Sequence, residues 1–141
     1  MLAGGLDPMN VADASATIAF CRKVFGAKLG TKMPGPGGKL MHAELTIGDS
    51  MVMLSDAVME PARVSSIFVY VPKVDKTMAK AVAAGATVKM PVQDQFWGDR
   101  FGSFVDPQGN IWSIATHVEN VSPVEMKKRT KAAAKQMAAG M

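Results

Sequence analysis

A faint internal repeat constrains this chain more than any other feature, because its second half echoes its first at a nearly constant offset. Four segments recur in the same order. The matched segments are Thr17-Ile18-Ala19 with Thr77-Met78-Ala79, Gly26-Ala27 with Gly85-Ala86, Lys32-Met33-Pro34 with Lys89-Met90-Pro91, and Met51-Val52-Met53-Leu54 with Ile111-Trp112-Ser113-Ile114. The offset in residue number hardly drifts between these matches, which indicates two copies of one supersecondary unit that differ slightly in loop length.

The composition is typical of one soluble globular domain. Of the 141 residues, 48% are hydrophobic and 20% are charged, and a chain of this length can fold without disulfides. The one cysteine, Cys21, excludes an intramolecular disulfide and favours a reducing, cytoplasmic compartment. No run of about 18 apolar residues predicts a transmembrane helix, and residues 1–5 lack the features of a signal peptide. We therefore expect a cytoplasmic protein with no membrane contact.

The net charge of +4 is concentrated near the C-terminus. The basic residues there are Lys127, Lys128, Arg129, Lys131 and Lys135. Such a run can contact nucleic acid or another anionic surface, or it can be the solvated face of a helix. No aromatic residue is interleaved for base stacking, so the sequence favours the solvated helix, and a nucleic-acid partner is not expected.

Each half is predicted to form a strand, a helix and three further strands. Asp13 is a suitable N-cap for the first helix, and Gly26 and Gly85 end the two helices. The expected strands are residues 6–11, 28–33, 39–47 and 51–55 in the first half, and 65–71, 86–90, 101–105 and 110–116 in the second. A capping box of Ser122 and Glu125 begins a third helix outside the repeat.

These elements predict an α+β fold made of two βαβββ repeats and a C-terminal helix. The repeats are expected at about 1–57 and 64–118, within a domain of residues 1–121, and the helix with its basic tail at 122–141. One helix covers only one face of each four-stranded sheet and leaves the other face open and concave. Two such halves side by side should enclose a cleft between their open faces, which is where a small ligand would bind.

Several segments together resemble the vicinal oxygen chelate superfamily, which contains glyoxalase I, extradiol dioxygenases and the bleomycin- and fosfomycin-resistance proteins. They are Phe25-Gly26-Ala27, Met33-Pro34-Gly35-Pro36, Met41-His42-Ala43-Glu44-Leu45, Gly48-Asp49-Ser50, Asp94-Gln95-Phe96-Trp97-Gly98-Asp99-Arg100, Asp106-Pro107-x-Gly109-x-x-Trp112 and Trp112-Ser113-Ile114-Ala115-Thr116-His117. Within the superfamily the chain is most similar to PhnB-like proteins of the glyoxalase/bleomycin-resistance type. The resemblance covers about residues 6–125 and implies a homodimer.

The resemblance also locates the positions at which metal-binding members place their ligands, on the first and last strand of each repeat. Those four positions are Leu6, Met53, Ser66 and Ser113. Metal-binding members have His, Glu or Gln there, which supply the nitrogen and oxygen donors that divalent metals need. Leucine has no donor, Met53 is a soft thioether, and the two serines are neutral hydroxyls. We therefore expect no metal and no cofactor.

Two other groups of residues are candidates for a site. His42 and Glu44 share one face of a predicted strand, where they could act as acid and base or form a simple solvated pair. Trp97, in the segment 95–100, could close over a flat or apolar ligand, and Arg100 could bind an anionic group. Alternatively, Asp99 and Arg100 pair with each other or with a dimer partner. Three further residues are expected to be structural: Trp112 as core, Cys21 as a buried thiol and His117 as a strand end.

The sequence thus favours a metal-free protein that binds a small molecule in its cleft. The expected lining residues are Gln95, Phe96, Trp97, Arg100, Met53, Ser66 and Ser113. One alternative is an enzyme of the glyoxalase or dioxygenase type that uses His42 and Glu44. The other is a structural or regulatory dimer with the basic tail as its contact surface.

Overall fold

The computed structural model describes residues 8–58 and 61–140, and its elements follow the predicted repeat. The first repeat contains β1 (Met9–Val11), α1 (Ala14–Phe25), β2 (Lys28–Pro34), β3 (Leu40–Ile47) and β4 (Ser50–Asp56). The second contains β5 (Ser66–Tyr70), α2 (Val74–Ala83), β6 (Thr87–Asp94), β7 (Asp99–Val105) and β8 (Ile111–His117), and α3 (Pro123–Ala139) follows. The α+β fold class is confirmed.

The two repeats form two four-stranded sheets with the same topology. The strand orders are β1-β4-β3-β2 and β5-β8-β7-β6, with the first pair parallel in each sheet. Met9 pairs with Leu54 in the first sheet, and Val69 pairs with Ile114 in the second. Val69 follows Met9 by the same number of residues as Ile114 follows Leu54. The repeat seen in the sequence is therefore also a repeat of the strand register.

Each repeat fixes its helix to its last strand in the same way. The amide of Ala14, the first residue of α1, donates a 2.8 Å hydrogen bond to Asp56 Oδ1. The amide of Val74, the first residue of α2, donates a 2.9 Å bond to Thr116 Oγ1. Asp56 and Thr116 are separated by the same offset as Ala14 and Val74. Helix amides without an internal partner are therefore satisfied by the equivalent residue in both halves.

The helices lie between the two sheets. Helix α1 packs on β3 and β4, α2 packs on the second sheet, and the two helices contact each other. From α1, the ring of Phe25 reaches Trp112 of the second sheet at a centroid distance of 5.1 Å. Because both sheets turn their buried faces toward this helical layer, their open faces point away from each other. The expectation that the open faces of one chain enclose a cleft is therefore wrong.

The turn between β7 and β8 closes an antiparallel hairpin, and it is fixed by one buried carboxylate. Asp106 accepts hydrogen bonds from the amides of Gln108 and Asn110 and from Trp112 Nε1. Trp112 is fully buried, which confirms its role in the core. Cys21 is also buried, as predicted, and this burial, with a smaller effect of the Asp106 charge, raises the pKa of its thiol to about 12.

The third helix begins as the sequence predicts, since Ser122 Oγ accepts a hydrogen bond from the amide of Glu125. None of its described residues is fully buried. Over the part of the chain that the structure describes, no helix has the length and hydropathy needed to cross a bilayer.

Candidate functional site

The open face of the second sheet is the candidate site. Along β5, side chains alternate between the helical layer and this face, so Phe68 and Tyr70 remain 49% and 61% exposed. Phe68 pairs across the sheet with Ser113, which pairs with Ser103, so these three side chains share the open face. Tyr70 pairs with Ala115, which pairs with Phe101, so the ring of Phe101 lies on the same face. Ser66 is exposed on the same face of β5. Aromatic rings and serine hydroxyls thus share one uncovered surface.

Five aromatic side chains form a continuous series of ring contacts on this surface, which we call the aromatic face. Centroid distances are 5.1 Å from Tyr70 to Phe68, 5.7 Å from Phe68 to Phe101, 6.0 Å from Phe101 to Trp97, and 5.2 Å from Trp97 to Phe96. These separations lie in the range in which tilted rings attract one another. The face is therefore preformed, with little side-chain freedom left to lose on binding a ligand.

A buried carboxylate holds two of these rings in place. Asp99 Oδ2 accepts hydrogen bonds from Tyr70 Oη at 2.8 Å and from Trp97 Nε1 at 2.9 Å. Asp99 Oδ1 lies 3.0 Å from His117 Nδ1. The side chain of Asp99 is only 3% exposed, so its charge is stabilised by these partners rather than by water.

The partners also shift the pKa values of Asp99 and His117. Burial alone raises the pKa of Asp99, but the hydrogen bonds from His117, Tyr70 and Trp97 outweigh it and hold that pKa below its ordinary value. His117 Nε2 lies 2.7 Å from Asn120 Oδ1. The bonds to Asn120 and then to Asp99 raise the pKa of His117, because both acceptors favour an imidazolium that donates from both nitrogens.

This arrangement is suited to binding rather than to proton transfer. The hydrogen bond to Asp99 raises the pKa of the Tyr70 phenol, which keeps it protonated. Asp99 accepts hydrogen bonds from Tyr70 and Trp97 and also contacts His117, and both ring nitrogens of His117 are engaged, one with Asp99 and the other with Asn120. A general base must be accessible to its substrate, whereas the carboxylate of Asp99 is buried and both ring nitrogens of His117 are engaged.

Arg100 does not belong to this surface, contrary to the expectation for it. Its Nε and Nη2 donate to both carboxylate oxygens of Asp75 on α2, at 2.8 and 3.0 Å. Its Nη1 donates to Asp94 at 3.1 Å. The predicted pairing of Asp99 with Arg100 is wrong, because neighbouring residues of strand β7 point to opposite faces. With two carboxylates around it, Arg100 is poorly placed to bind an anionic ligand.

The remaining predicted lining residues are divided between the two sheets. The amide of Gln95 donates to the carbonyl of Asp99, which forms the turn that carries Phe96 and Trp97. Met53 lies on the open face of the first sheet, opposite Glu44. Leu6 lies outside the described residues. The structure therefore brings Ser66, Ser113, Phe96 and Trp97 to one face but leaves Met53 on the other sheet.

His42 and Glu44 lie together on the open face of the first sheet, as their alternation predicts. His42 Nε2 is 3.3 Å from Glu44 Oε2, and their side chains are 29% and 23% exposed. Within residues 8–58 and 61–140, no three His, Cys, Asp or Glu side chains converge as a metal site requires. The donors at the family's metal positions that the structure describes do not fit a divalent metal either, because Met53 is a soft thioether and Ser66 and Ser113 are neutral hydroxyls.

Sequence reasoning missed Phe68 and Tyr70 and assigned His117 only to a strand end. A signal for the two rings was present, because they follow Ser66 at steps of two in a predicted strand and so share its face. No local pattern marks the contact of His117 with Asp99, which depends on the pairing of β7 with β8.

Comparisons with known proteins agree with this architecture. A family model for the glyoxalase/bleomycin resistance protein/dioxygenase superfamily matches residues 5–114. The chain belongs to this superfamily. The predicted resemblance to the vicinal oxygen chelate group is thereby confirmed at the level of the superfamily.

Relatives within the superfamily do not add a defined activity. The chain is 39% identical over 129 residues to an uncharacterized protein of Mycobacterium bovis, which covers 83% of this chain and 85% of that protein. An uncharacterized protein of Mycobacterium tuberculosis strain H37Rv is also 39% identical, over 83% of this chain and 76% of its own length.

Solved structures of the superfamily share the fold. TioX from Micromonospora sp. ML1 is 26% identical, with a TM-score of 0.68 over 79% of this chain and 96% of its own. The fosfomycin resistance protein FosX from Listeria monocytogenes is 17% identical, with a TM-score of 0.64 over 89% and 99% of the two chains. At that identity FosX supports the fold alone.

Proposed function

We propose that this protein binds a small molecule with a planar, apolar group on the aromatic face of its second sheet, without a metal. One observation supports this above all: five rings in a continuous series of contacts lie on an uncovered sheet face, and a buried carboxylate fixes two of them. Ring faces of this kind attract flat apolar groups. The serine hydroxyls beside the rings supply hydrogen bonds that orient the polar part of such a ligand.

The absence of a metal in this proposal follows from the donor set. Ser66 and Ser113 stand on the face at positions where metal-binding members have stronger ligands. A neutral hydroxyl is a weak ligand for a divalent cation, whereas it is well suited to a polar ligand group. In this proposal the superfamily scaffold is kept, as in the PhnB-like branch that the sequence resembles, and the two serines contact the ligand directly.

We further propose that two copies of the chain associate and cover the open faces. Large apolar side chains are exposed on both sheets, among them Met33 and Met51 on the first and Phe68 and Tyr70 on the second. Monomeric proteins seldom leave contiguous apolar patches in water. The open faces of one chain point away from each other, so a second copy is needed to turn the aromatic face into an enclosed cleft.

Fluorescence titration with N-phenyl-1-naphthylamine, a neutral planar dye, tests the binding proposal. Phe68→Ala should weaken dye binding by about 2- to 12-fold, the effect of losing one aromatic pair contact. Val82→Ala is the matched control, because Val82 on α2 is 48% exposed, close to the 49% of Phe68. Binding that is equally strong in both variants, or a dye that does not bind at all, contradicts the proposal.

A second candidate function is an enzyme of the glyoxalase or dioxygenase type that uses His42 and Glu44. The observation in its favour is their 3.3 Å contact on an open face, since an imidazole beside a carboxylate can act as acid and base. This pair lies on the first sheet, away from the aromatic face of the same chain. His42→Gln would abolish turnover in an enzyme of this kind and leave dye binding by the aromatic face unchanged.

A further inference from the structure

Arg129 of α3 connects the C-terminal helix to the aromatic face. Its Nη1 and Nη2 donate to the two carboxylate oxygens of Glu119 at 2.8 and 3.0 Å. Its Nε donates to Glu125 at 3.1 Å, and Nη1 also donates to the carbonyl oxygen of Phe96 at 3.1 Å. One guanidinium thus links α3, the segment after β8 and the turn that carries Phe96 and Trp97.

The same turn is also held by the segment that Arg129 contacts. The carbonyl of Gly98 accepts hydrogen bonds from the amides of Val118 and Glu119 at 2.9 and 3.0 Å. Gly98 has a φ of +102°, and a Cβ atom there would collide with the carbonyl of Glu119. The approach of residues 118–119 to the turn is therefore close, and the position of Glu119 affects the position of Trp97.

We propose that Arg129 is a positioning residue, which fixes the Phe96–Trp97 turn against the aromatic face through Glu119 and the carbonyl of Phe96. A planar guanidinium can donate to several acceptors in fixed directions, whereas an ammonium cannot match that geometry. The C-terminal helix, which lies outside the repeat, thereby influences the geometry of the ligand surface. The consequence for ligand affinity rests on the proposed function, but the consequence for the turn does not.

The attachment of α3 depends strongly on Arg129. The described residues of α3 include none that is fully buried, so apolar packing contributes little to holding it. The core around Trp112 and Phe104 makes no use of this helix. A substitution of Arg129 should therefore alter the turn while the two repeats stay folded.

Quenching of tryptophan fluorescence by acrylamide tests this inference without a ligand. The chain has two tryptophans, and Trp112 is fully buried, so quenching reports on Trp97. Arg129→Gln and Arg129→Lys should both increase quenching. Lys131→Gln removes a charge from an exposed residue of the same helix and should leave quenching unchanged. Wild-type quenching in both Arg129 variants, with the melting temperature also unchanged, overturns the inference.

The dye titration separates this inference from the proposed function. If both hold, Arg129→Gln also weakens binding of N-phenyl-1-naphthylamine by about 2- to 30-fold, the usual range for mutations that couple to a site. If the Arg129 variants show increased quenching but the wild-type protein binds no dye, the positioning role of Arg129 is supported and the proposed function is contradicted. Dye affinity that falls equally in Lys131→Gln contradicts the positioning role, because only charge would then matter.

Discussion

His117 Nδ1 lies 3.0 Å from Asp99 Oδ1, and this contact joins the end of β8 to the start of β7 directly beneath the aromatic face. The carboxylate it reaches also holds Tyr70 and Trp97. The charge state of His117 and the order of the rings are therefore linked through one side chain.

The first prediction concerns the pH dependence of stability. The folded-state pKa of His117 is raised above its ordinary value of 6.5. Its contribution to folding stability is therefore complete below pH 6.5 and is lost as the pH rises through the raised pKa. The pKa of Asp99 is lowered below 3.8, so its contribution exists above that value and is lost as the pH falls through the lowered pKa. The pair should stabilise the fold most between these two ordinary values.

Thermal unfolding at pH 5.5 and at pH 8.5 checks this prediction. The wild-type protein should lose more stability over that interval than His117→Gln, which keeps a polar side chain but does not titrate. An equal loss in both proteins would show that the imidazolium does not contribute.

The second prediction concerns Asp106 in the β7–β8 turn. Asp106→Ala should lower the free energy of unfolding by about 2–5 kcal/mol, because it leaves Trp112 Nε1 and turn amides without acceptors in a buried site. Asp49→Ala, at an exposed residue in the turn before β4, is the control and should change stability little. Urea denaturation measures both variants. If Asp106→Ala lowers the free energy of unfolding as little as Asp49→Ala does, the role given to this carboxylate is contradicted.

The third prediction concerns metal content. Protein purified without added metal should contain far less than one divalent metal per chain by elemental analysis, since the thioether of Met53 and the hydroxyls of Ser66 and Ser113 are poor donors for such ions. Chelation should leave the melting temperature unchanged. About one metal per chain, lost in Ser113→Trp or in Leu6→Trp, would contradict this account of the site.

The fourth prediction concerns association. The chain should sediment as a dimer, and Met51→Glu on the open face of the first sheet should shift it toward the monomer, because an interface that buries an unpaired charge is strongly destabilised. Val82→Glu introduces the same charge on α2 at a residue of similar exposure, 48% against 44% for Met51. A monomeric wild type, or dissociation in both variants alike, would contradict an interface through the open faces.

Much of the fold could be predicted from the sequence, because its determinants are local. Asp13 and Gly26 cap α1 as expected, and Asp13 Oδ1 accepts a hydrogen bond from Ala16. The constant offset between the halves predicted the shared topology, and it holds in the pairing of Met9 with Leu54 and of Val69 with Ile114. Local propensity and periodicity suffice for such features.

The site was harder to predict because it depends on how strands and helices are placed relative to one another. Strand β7 begins at Asp99 rather than Phe101, so Asp99 and Arg100 alternate across a sheet rather than sharing a loop. The packing of Phe25 against Trp112 places the helices between the sheets, and no periodicity within one repeat encodes that choice. The other contacts of the site, including that of His117 with Asp99, depend on the pairing of strands, which no local pattern encodes.

The central claim, that the aromatic face is the ligand surface, is tested most directly by the indole N–H resonances of the two tryptophans. They report from different places, since Trp97 Nε1 donates to Asp99 on the aromatic face and Trp112 Nε1 donates to Asp106 in the core. Titration with N-phenyl-1-naphthylamine should shift the Trp97 resonance and leave that of Trp112 in place. Saturable binding that leaves the Trp97 resonance unmoved, or that shifts residues around His42 and Glu44 instead, would contradict the account.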